Sequence, residues 1–482
     1  MLIRRAEIDG ASPIDVRISS GRIHELGLEL AAQPGEPVLE AAGGALLPGL
    51  HDHHLHLFAL AASLSSLSCG PPAVRDLPAL AKALAQVPAS GEWIRGVGYH
   101  ESVAGELDRR ALDRLVPGRP LRIQHRSGAL WMLNSPGVDR LGLDRGVDAP
   151  GVERGAEGRA TGRLFRLDAW LREGLEPSAL PGLGAVGEAL AGFGVTGVTD
   201  ATPGNGPAEL RALVEAVDRG ELRQRVLVMG APGLPEPVHA GVERGAVKLR
   251  LDESALPAFD ELVRSVEEAH GGGRPVAIHC VTRAELVLAL GALRAAGARS
   301  GDRIEHAAVT PPEVMALLAE LRLRVVTQPG FVRERGDAYA TSVETADLPW
   351  LHRCSGFVAA SVPLAAGTDA PFGDPDPWRA MQAAVDRRTE SGLVLGSEER
   401  LTPEEALALF TSPANAPGDP PRRIVVGGPA DLCLLDRPWS KAREGVSSEC
   451  VAATIRGGSV VWSRAEKWLG AELRGGRPGR GR

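Results

Sequence analysis

The sequence repeats one pattern, a short apolar segment followed by room for a helix, and this repetition constrains the fold most. Amphipathic stretches such as ALPAFDELVRSVEEAHG and PPEVMALLAELRL, with Pro or Gly at their boundaries, separate the segments. Eight such strand and helix units, closing on themselves, predict a (β/α)8 TIM barrel of the α/β class. The candidate strands lie in PGLHDHHLHL, GVTGVTDA, RQRVLVMG, GAVKLRL, PVAIHCV, DRIEHAA, RVVTQPG and LAAGTDAP.

Strand patterns at both ends of the chain predict a second, smaller domain. IDVRISSGRIHELG near the start indicates two strands joined by a turn, and ADLCLLDRP with VAATIRGGSVVWS repeats this near the end. We therefore expect residues 1–45 and 415–466 to form one composite β-sandwich domain and residues 46–414 to form the barrel. Residues 467–482, rich in Gly and Arg without periodicity, are expected to be a disordered tail, with RNA contact as the alternative.

After the first candidate strand, the chain carries far more residues than one barrel unit requires. About 140 residues separate His56 from Gly194, against about 30 for an ordinary unit, which predicts a large insertion at about 65–190. The pieces GEWIRGVGYHES and RIQHRSGALWMLNS within it are apolar and aromatic enough to cover a pocket. The candidates there for holding a substrate are Tyr99, His125, Arg126 and Trp131.

Charge and cysteine content argue against several classes of partner. The net charge of −7, from 54 Lys and Arg against 61 Asp and Glu, provides no basic surface for nucleic acid or anionic lipid. The five scattered cysteines lack metal-binding or C-x-x-C spacing, which indicates reduced thiols in a cytoplasm. The first residues lack the apolar core of a signal peptide, and no apolar run reaches the roughly 18 residues that span a bilayer. We expect a cytoplasmic protein with no membrane partner, and the sequence leaves a homo-oligomer open.

Titratable residues fall in separate candidate strands, and barrel enzymes carry their chemistry at the ends of such strands. Lys248 lies in the fourth candidate, His279 in the fifth, His306 in the sixth and Asp369 in the eighth. A metal site assembled from strand ends predicts this regular spacing, whereas histidines kept for packing have no reason to fall one per strand. Glu305 precedes His306 and, by alternation, is expected to point the opposite way, toward a helix.

The first candidate strand holds four of the chain's 12 histidines. Because alternate residues of a strand face opposite sides, His54 and His56 share one face with Asp52. His51 and His53 share the other face. Alternation thus gives two candidate ligand pairs and does not choose between them.

The stretch around these histidines resembles a known family signature. PGLHDHHLHL resembles the P-G-x-x-D-x-H-x-H pattern that opens the barrel of the metal-dependent amidohydrolase superfamily. GEWIRGVGY, WMLNS, GVTGVTD, VKL, RIEH and GTDAP, in this order, resemble its amidohydrolase 3 branch, which includes the N-substituted formamide deformylases. The resemblance leaves His51 and His53 in variable positions. It implies a bridging carboxylated lysine at Lys248, a catalytic and metal-binding aspartate at Asp369, and metal ligands at His54, His56, His279 and His306.

The insertion departs from that branch at one point. Formamide-deformylase-like sequences carry a histidine a few residues before the asparagine that matches Asn134. Here the corresponding position holds Ala129, and His125 comes earlier. The substrate of the branch is therefore not carried over to this chain.

The residue types support metal chemistry independently of the family. Neutral imidazoles suit zinc (Zn2+) and related divalent ions, which make a bound water acidic enough to react at neutral pH. A lysine is normally a cation that repels a metal, so Lys248 fits as a ligand only after CO2 converts its amine to a carbamate. The alternatives are an ordinary ion pair of Lys248, for example with Asp252, and a turn or capping role for Asp369 in GTDAPFGDP.

These features predict a hydrolase that uses one or two divalent ions on a small-molecule substrate. It would cleave the carbon–nitrogen bond of a linear amide or of an N-acyl or N-formyl amine, with Asp369 moving a proton from water to the leaving nitrogen. A deaminase or a cyclic-amide hydrolase would use the same metal set. The rival from another class is a non-catalytic binding protein of the same fold, which purified protein without metal would favour.

Overall fold

The computed structural model describes residues 1–71, 73–88, 93–145, 149–174 and 180–464 of the chain. Within these ranges, the strands in chain order are β1 (Leu2–Ala6), β2 (Ile14–Ser19), β3 (Arg22–Gly27), β4 (Val38–Glu40), β5 (Leu46–Pro48), β6 (Leu50–Leu55), β7 (Leu67–Ser68), β8 (Ile94–Tyr99), β9 (Leu121–His125), β10 (Leu130–Leu133), β11 (Val152–Arg154), β12 (Ala160–Phe165), β13 (Val195–Asp200), β14 (Arg225–Gly230), β15 (Val242–Arg250), β16 (Val276–Cys280), β17 (Arg303–His306), β18 (Arg324–Thr327), β19 (Leu364–Ala366), β20 (Leu432–Leu435), β21 (Val451–Arg456) and β22 (Ser459–Ser463).

The helices in the same ranges are α1 (Leu57–Leu64), α2 (Leu77–Ala85), α3 (Glu101–Ala104), α4 (Arg109–Leu115), α5 (Ser135–Arg140), α6 (Asp168–Gly174), α7 (Gly184–Gly192), α8 (Pro207–Asp218), α9 (Phe259–Gly271), α10 (Arg283–Ala296), α11 (Pro312–Glu320), α12 (Gly330–Ser342), α13 (Ser355–Ala359), α14 (Pro377–Asp386), α15 (Pro403–Ala408) and α16 (Trp439–Ala442). Short 3-10 turns occur at Glu253–Ala255, Leu348–Trp350, Ser397–Glu399, Arg443–Gly445 and Ser448–Cys450.

Eight parallel strands form the barrel, in the order β6, β13, β14, β15, β16, β17, β18 and β19. The chain after the eighth strand returns to the first. The amide of Asp369 donates to the carbonyl of His54 at 2.7 Å, and the amide of His56 donates to the carbonyl of Ala370 at 2.8 Å. The predicted barrel is therefore confirmed, and its strands lie in the eight segments that the sequence pattern indicated.

Burial and helix capping explain why these segments alternate. All residues of β6 and of β13 are buried, as expected for parallel strands covered on both faces. Helix α9 is amphipathic and buries Leu262, Val266 and Ala269 on one face. Helix α10 begins directly after β16 at a capping box, in which the Glu285 amide donates to Thr282 Oγ1 at 3.3 Å. A helix that starts in this way ends the preceding strand at the mouth of the barrel. The last side chains of neighbouring strands can therefore lie close together there.

Two four-stranded sheets contain the strands at the two ends of the chain. One has the order β3, β2, β1, β4, and the other has the order β22, β21, β20, β5. Buried side chains of both sheets, among them Ile3, Val16, Leu432 and Ile455, belong to one apolar core. The hairpins expected from the two terminal sequence patterns are present as β2 with β3 and β21 with β22.

The inserted chain forms a compact unit, Phe58–Pro181, while the other unit comprises Met1–Leu57 and Gly182–Arg482. The sheet of the insertion has the order β11, β12, β10, β9, β8, β7. Helix α2 lies where DLPALAKALAQVP indicates one. The predicted tail at 467–482 lies outside the described residues. Across the described ranges, no helix combines the length and apolar character needed to cross a membrane.

Candidate metal centre

Three side chains at the mouth of the barrel bring their polar atoms together. His54 lies in β6, His56 directly follows that strand, and Asp369 follows β19. One candidate ligand atom from each lies within 4.8 Å of the other two. Asp369 Oδ1 is 3.1 Å from His56 Nε2 and 3.6 Å from His54 Nε2. The carboxylate therefore faces both imidazoles.

Each of these imidazoles is held at its other nitrogen by a neighbour. His54 Nδ1 is hydrogen-bonded to the Glu305 carboxylate, and His56 Nδ1 lies 2.9 Å from Thr202 Oγ1. A carboxylate only accepts, so His54 Nδ1 carries the proton and its Nε2 presents a lone pair toward Asp369. Two acceptors that face each other in a buried site fit a cation between them. Imidazoles oriented by a second partner are typical of metal ligands.

His279 and His306 border this group. The ring centroid of His306 lies 4.8 Å from that of His54 and 4.3 Å from that of His279. His306 Nδ1 donates to Gln328 Oε1 at 2.6 Å, which leaves its Nε2 unprotonated. The structure thus gathers the histidines that the resemblance implied, together with Asp369, at one end of the barrel.

Lys248 is buried at the same end of the barrel, and its amine has no hydrogen-bond partner among the described residues. The carboxylate beside it is that of Glu305, 3.7 Å from Nζ, and not that of Asp252. Asp252 instead caps the turn Glu253–Ala255 by accepting from the Ser254 amide. Burial lowers the pKa of Lys248 to about 8, so its amine loses a proton more readily than that of an exposed lysine.

The expectation that Glu305 points toward a helix is wrong. Its side chain is fully buried and contacts Arg303, His54 and Lys248. Alternation fails here because the strand ends at His306, whose φ of 67° lies outside the extended region. Burial raises the pKa of Glu305, but the charges of Arg303 and Lys248 outweigh it and hold the pKa well below the ordinary value. Glu305 is therefore an anion that orients His54.

The buried histidines are neutral at physiological pH. Burial lowers the pKa of His279 to about 3, and it also lowers the pKa values of His54 and His306. The positive charge of Lys248 adds to the effect at all three. Neutral imidazole is the form that binds divalent metal ions.

Asp369 occupies a turn with a φ of 57°. Burial raises the pKa of Asp369, but the hydrogen bond with His56 and the neighbouring positive charges outweigh it and lower the pKa. One of these charges is Arg335, which lies 3.9 Å from the ring centroid of Phe331 and donates to the Phe372 carbonyl at 2.6 Å. The carboxylate is therefore ionised at neutral pH and can accept a proton.

The other two histidines of the first barrel strand make different contacts. His51 Nε2 lies 2.9 Å from Thr199 Oγ1, and His53 Nε2 lies 3.0 Å from Ser412 Oγ. Their rings contact each other, with centroids 4.5 Å apart. Neither ring belongs to the group of candidate ligands found among the described residues. The four histidines of this stretch, three in β6 and one directly after it, thus fall into the two pairs that alternation indicates.

Two of the four substrate candidates in the insertion are core residues. Tyr99 is 1% exposed, and its hydroxyl donates to the Gly105 carbonyl at 2.6 Å. Trp131 is 5% exposed, and its indole nitrogen donates to Asp168 Oδ1 at 2.8 Å. Both side chains therefore serve the packing of the insertion.

The other two candidates, His125 and Arg126, are half-buried. His125 Nε2 lies 3.1 Å from Glu101 Oε2, and the His125 ring stacks on that of His100 with centroids 6.0 Å apart. The amide of Arg126 donates to the carbonyl of Tyr99 at 2.9 Å. Their role in holding a substrate stays a prediction.

Sequence reasoning missed the side chains that orient the candidate ligands. Thr202 and Gln328 follow the second and seventh barrel strands, and Glu305 lies in the sixth. All three stand at the same end of the barrel as the histidines they contact. A search of the strand ends for every polar side chain, rather than for metal ligands alone, would have found them.

Comparisons with known proteins agree with one another. The sequence profile of the Amidohydrolase family matches residues 38–462. N-substituted formamide deformylase from Arthrobacter pascens is 26% identical, over 88% of this chain and 90% of that protein. An uncharacterized metal-dependent hydrolase from Pyrococcus horikoshii has a similar structure, with a TM-score of 0.71 at 22% identity, over 90% of this chain and 96% of that one. N-isopropylammelide isopropylaminohydrolase from Burkholderia multivorans gives a TM-score of 0.53 at 19% identity, over 95% and 97% of the two chains. The structural likenesses show a shared fold.

Proposed function

We propose a role for each residue of the metal centre. The premise is that this chain belongs to the amidohydrolase family and is a metal-dependent hydrolase acting on carbon–nitrogen bonds. His54, His56 and Asp369 hold the metal ion, and His279 and His306 complete its surroundings. The observation that carries this proposal is the meeting of two imidazole nitrogens with one carboxylate oxygen at the mouth of the barrel, because these three atoms are close enough to bind one divalent ion. Zinc is the ion that this donor set favours.

The chain's own residues then move one proton. A bound divalent ion would polarise the substrate carbonyl and acidify a water molecule in the site. Asp369 accepts a proton from that water as its oxygen attacks the carbonyl carbon. The same carboxyl group gives the proton to the amine nitrogen, which is too basic to leave as an anion. Glu305 and Thr202 hold the two imidazoles in place throughout.

The substrate class we propose is a linear amide or N-acyl amine, N-formyl amines included. Support comes from the relative named N-substituted formamide deformylase, which aligns with nearly the whole of this chain. Deamination and the opening of a cyclic amide remain the alternatives for the same residues. Assaying N-formyl amines, N-acetyl amines, aminopyrimidines and dihydropyrimidines side by side tests the choice, and turnover of only a ring substrate would overturn it.

Asp369→Asn tests the proton-transfer role. Asparagine has nearly the shape of aspartate but cannot accept the proton, so kcat on an amide should fall about 10²- to 10⁴-fold. Metal content, measured by mass spectrometry of the purified protein, should fall far less than kcat because the histidines remain. The loss should be smaller on an activated ester, whose leaving group needs no proton.

Asp374→Asn is the matched control for this test. Asp374 lies on the same loop, but its carboxylate pairs with Arg379 at 3.1 Å. This variant should keep kcat on both substrates. If the Asp369→Asn variant also kept a kcat on an amide within about tenfold of that of the unchanged protein, Asp369 would not be the proton carrier.

Carboxylation of Lys248 is a second proposal at the same centre. It is supported by the buried amine that lacks a hydrogen-bond partner among the described residues and by its lowered pKa of about 8, because CO2 reacts with the neutral amine. Lys248→Ala should lose activity and regain part of it with added formate or acetate, which can occupy the vacated space. Lys248→Ala with full activity and no response to these acids would leave Lys248 as an ordinary partner of Glu305.

Two further proposals concern the domain organisation and the location of the protein. The shared core of the two terminal sheets supports one β-sandwich domain at residues 1–45 and 415–466. The free, buried cysteines support a cytoplasmic location. Titration of the thiols in denatured protein without reductant tests the proposed location. All five cysteines should react, because a cysteine in a disulfide would not react with a thiol reagent.

A further inference from the structure

The sheet of the insertion places two arginines side by side. Arg95 in β8 and Arg122 in β9 are direct register partners on neighbouring parallel strands. Both side chains are half-buried. Within the described residues, no carboxylate oxygen lies within 4.0 Å of either guanidinium. Two adjacent like charges repel each other, so this pairing calls for an anion.

Arg122 is the more unusual of the two. Its guanidinium carbon lies 5.7 Å from the ring centroid of Trp93 and 5.5 Å from that of Trp131. Its Nε is buried without a hydrogen-bond partner among the described residues. Burial, with a smaller contribution from Arg95, lowers the pKa of Arg122 to about 10, which leaves it a cation at neutral pH. Arg122 therefore presents donors and charge that the described chain does not use.

Arg95 completes a layered arrangement around the same indole. Its guanidinium carbon lies 5.6 Å from the ring centroid of Trp131. Among the described residues, the Arg95 guanidinium donates only through Nη1, to the Ala62 carbonyl at 2.6 Å and to Ser66 Oγ at 2.8 Å. The nearby carboxylate of Asp168 accepts from the indole nitrogen of Trp131 and from Gln124 Nε2. Its single negative charge does not balance the two positive charges of Arg95 and Arg122. The aromatic faces stabilise the cations but supply no hydrogen-bond acceptor in the ring plane.

We propose that Arg95 and Arg122 form a binding site for a small-molecule carboxylate within the insertion. A guanidinium offers parallel N–H donors that match the two oxygens of a carboxylate, and aromatic surroundings make that pairing stronger than in water. This site is separate from the residues assigned to the metal centre, and the inference stands apart from the proposed amide hydrolysis.

Benzoate binding to the full-length protein tests the proposal, with benzyl alcohol as the uncharged analogue. Calorimetric titration should show saturable binding of benzoate and none of benzyl alcohol. Arg122→Met, which keeps the length of the side chain but removes its charge, should weaken benzoate binding at least about tenfold. Arg95→Gln should weaken it as well. Unchanged affinity in both variants, as expected if benzoate bound only at the metal centre, would overturn the proposal.

Arg163→Met is the matched control. Arg163 lies in the same sheet and over an aromatic ring, with its guanidinium carbon 5.5 Å from the centroid of Phe165, but Glu106 already pairs with it at 2.9 Å. Its loss should leave benzoate binding unchanged, and an equal loss of binding would point to a general effect of arginine removal and overturn the proposal. Binding of inorganic phosphate without binding of benzoate would overturn the carboxylate assignment.

The proposed ligand is a free carboxylate held by the insertion alone, so its binding is measured without a substrate of the barrel. The calorimetric titration needs no turnover, so its failure and the failure of the proposed amide hydrolysis are distinguishable.

Discussion

At the scale of single residues, the first barrel strand and the residue after it carry two pairs of histidines with different neighbours. His54 Nε2 faces the Asp369 carboxylate, whereas His51 Nε2 meets the Thr199 hydroxyl. We expect His54→Gln to lose metal and activity together. His51→Gln should keep most of both, because an amide can replace the contact with Thr199. Metal analysis of the two purified variants measures the difference, and the reverse pattern would contradict the assignment of the ligand pair.

Glu305 is a positioning residue for His54. Glu305→Gln removes the anion that fixes the tautomer of His54, so the affinity for metal should fall about 10- to 100-fold. It also leaves Arg303 without its buried partner, which should lower the free energy of unfolding by about 3–5 kcal/mol. Competition for zinc with a chelator measures the first effect, and urea unfolding measures the second.

Glu285 provides the control for Glu305. It is a buried glutamate that accepts from the amides of Val281 and Thr282 in a helix cap, and it makes no hydrogen bond to a candidate ligand among the described residues. Glu285→Gln should lower stability without changing the affinity for metal. Equal losses of metal affinity in the two variants would mean that Glu305 acts only through stability.

Alternation along a strand predicted the pairing of the four histidines but misplaced Glu305. The rule holds while the backbone stays extended, as it does through β6. It fails at His306, where a positive φ ends the strand. The side chains that orient the ligands come from other strands, and no local pattern in the sequence reports which distant strand ends meet.

At the scale of elements, the packing of β13 against β6 depends on a glycine. A Cβ atom at Gly197 would lie 2.4 Å from His51 Nδ1, closer than real Cβ contacts allow. Gly197→Ala should therefore lower the free energy of unfolding by about 1–3 kcal/mol through overpacking. Gly204→Ala is the control, since a Cβ there meets nothing within 4 Å. Equal urea midpoints for the two variants would show that the strand interface can absorb the added methyl group.

The barrel strands were predictable as elements because apolar runs, turns and helix periodicity are local signals. The strands of the insertion were not. Its sheet mixes parallel and antiparallel pairs, and β8 and β9 pair in parallel through a crossover connection that contains α3 and α4. Gly- and Pro-rich connections leave such a pairing to long-range packing, which a single sequence does not display.

At the scale of the whole molecule, buried neutral histidines make stability depend on pH. Burial lowers the pKa values of His279 and His352 to about 3, against 6.5 for an exposed histidine. Between these values the unfolded chain binds more protons at these two histidines than the folded chain, so their contribution to the free energy of unfolding falls as pH falls through this window. The stability is fully present above the window. Each histidine contributes up to about 1.4 kcal/mol per pH unit, which urea unfolding at several pH values measures.

His352→Asn isolates one of these contributions. Asparagine does not titrate in this range, and it tolerates the positive φ of 43° at this position. The variant should show a shallower loss of stability between neutral and mildly acidic pH than the unchanged protein. An identical slope would mean that His352 does not stay neutral in the folded state.

The chain closes its barrel with the same residues that are proposed to hold the metal. His56 and Asp369 stand 313 positions apart, and a ribosome makes the imidazole long before the carboxylate. A nascent chain that has not yet reached its eighth barrel strand therefore lacks one of the three proposed ligands. On that proposal, the ion would bind only after the eighth strand is in place. A bound ion would then link the first and the eighth barrel strands and oppose their separation.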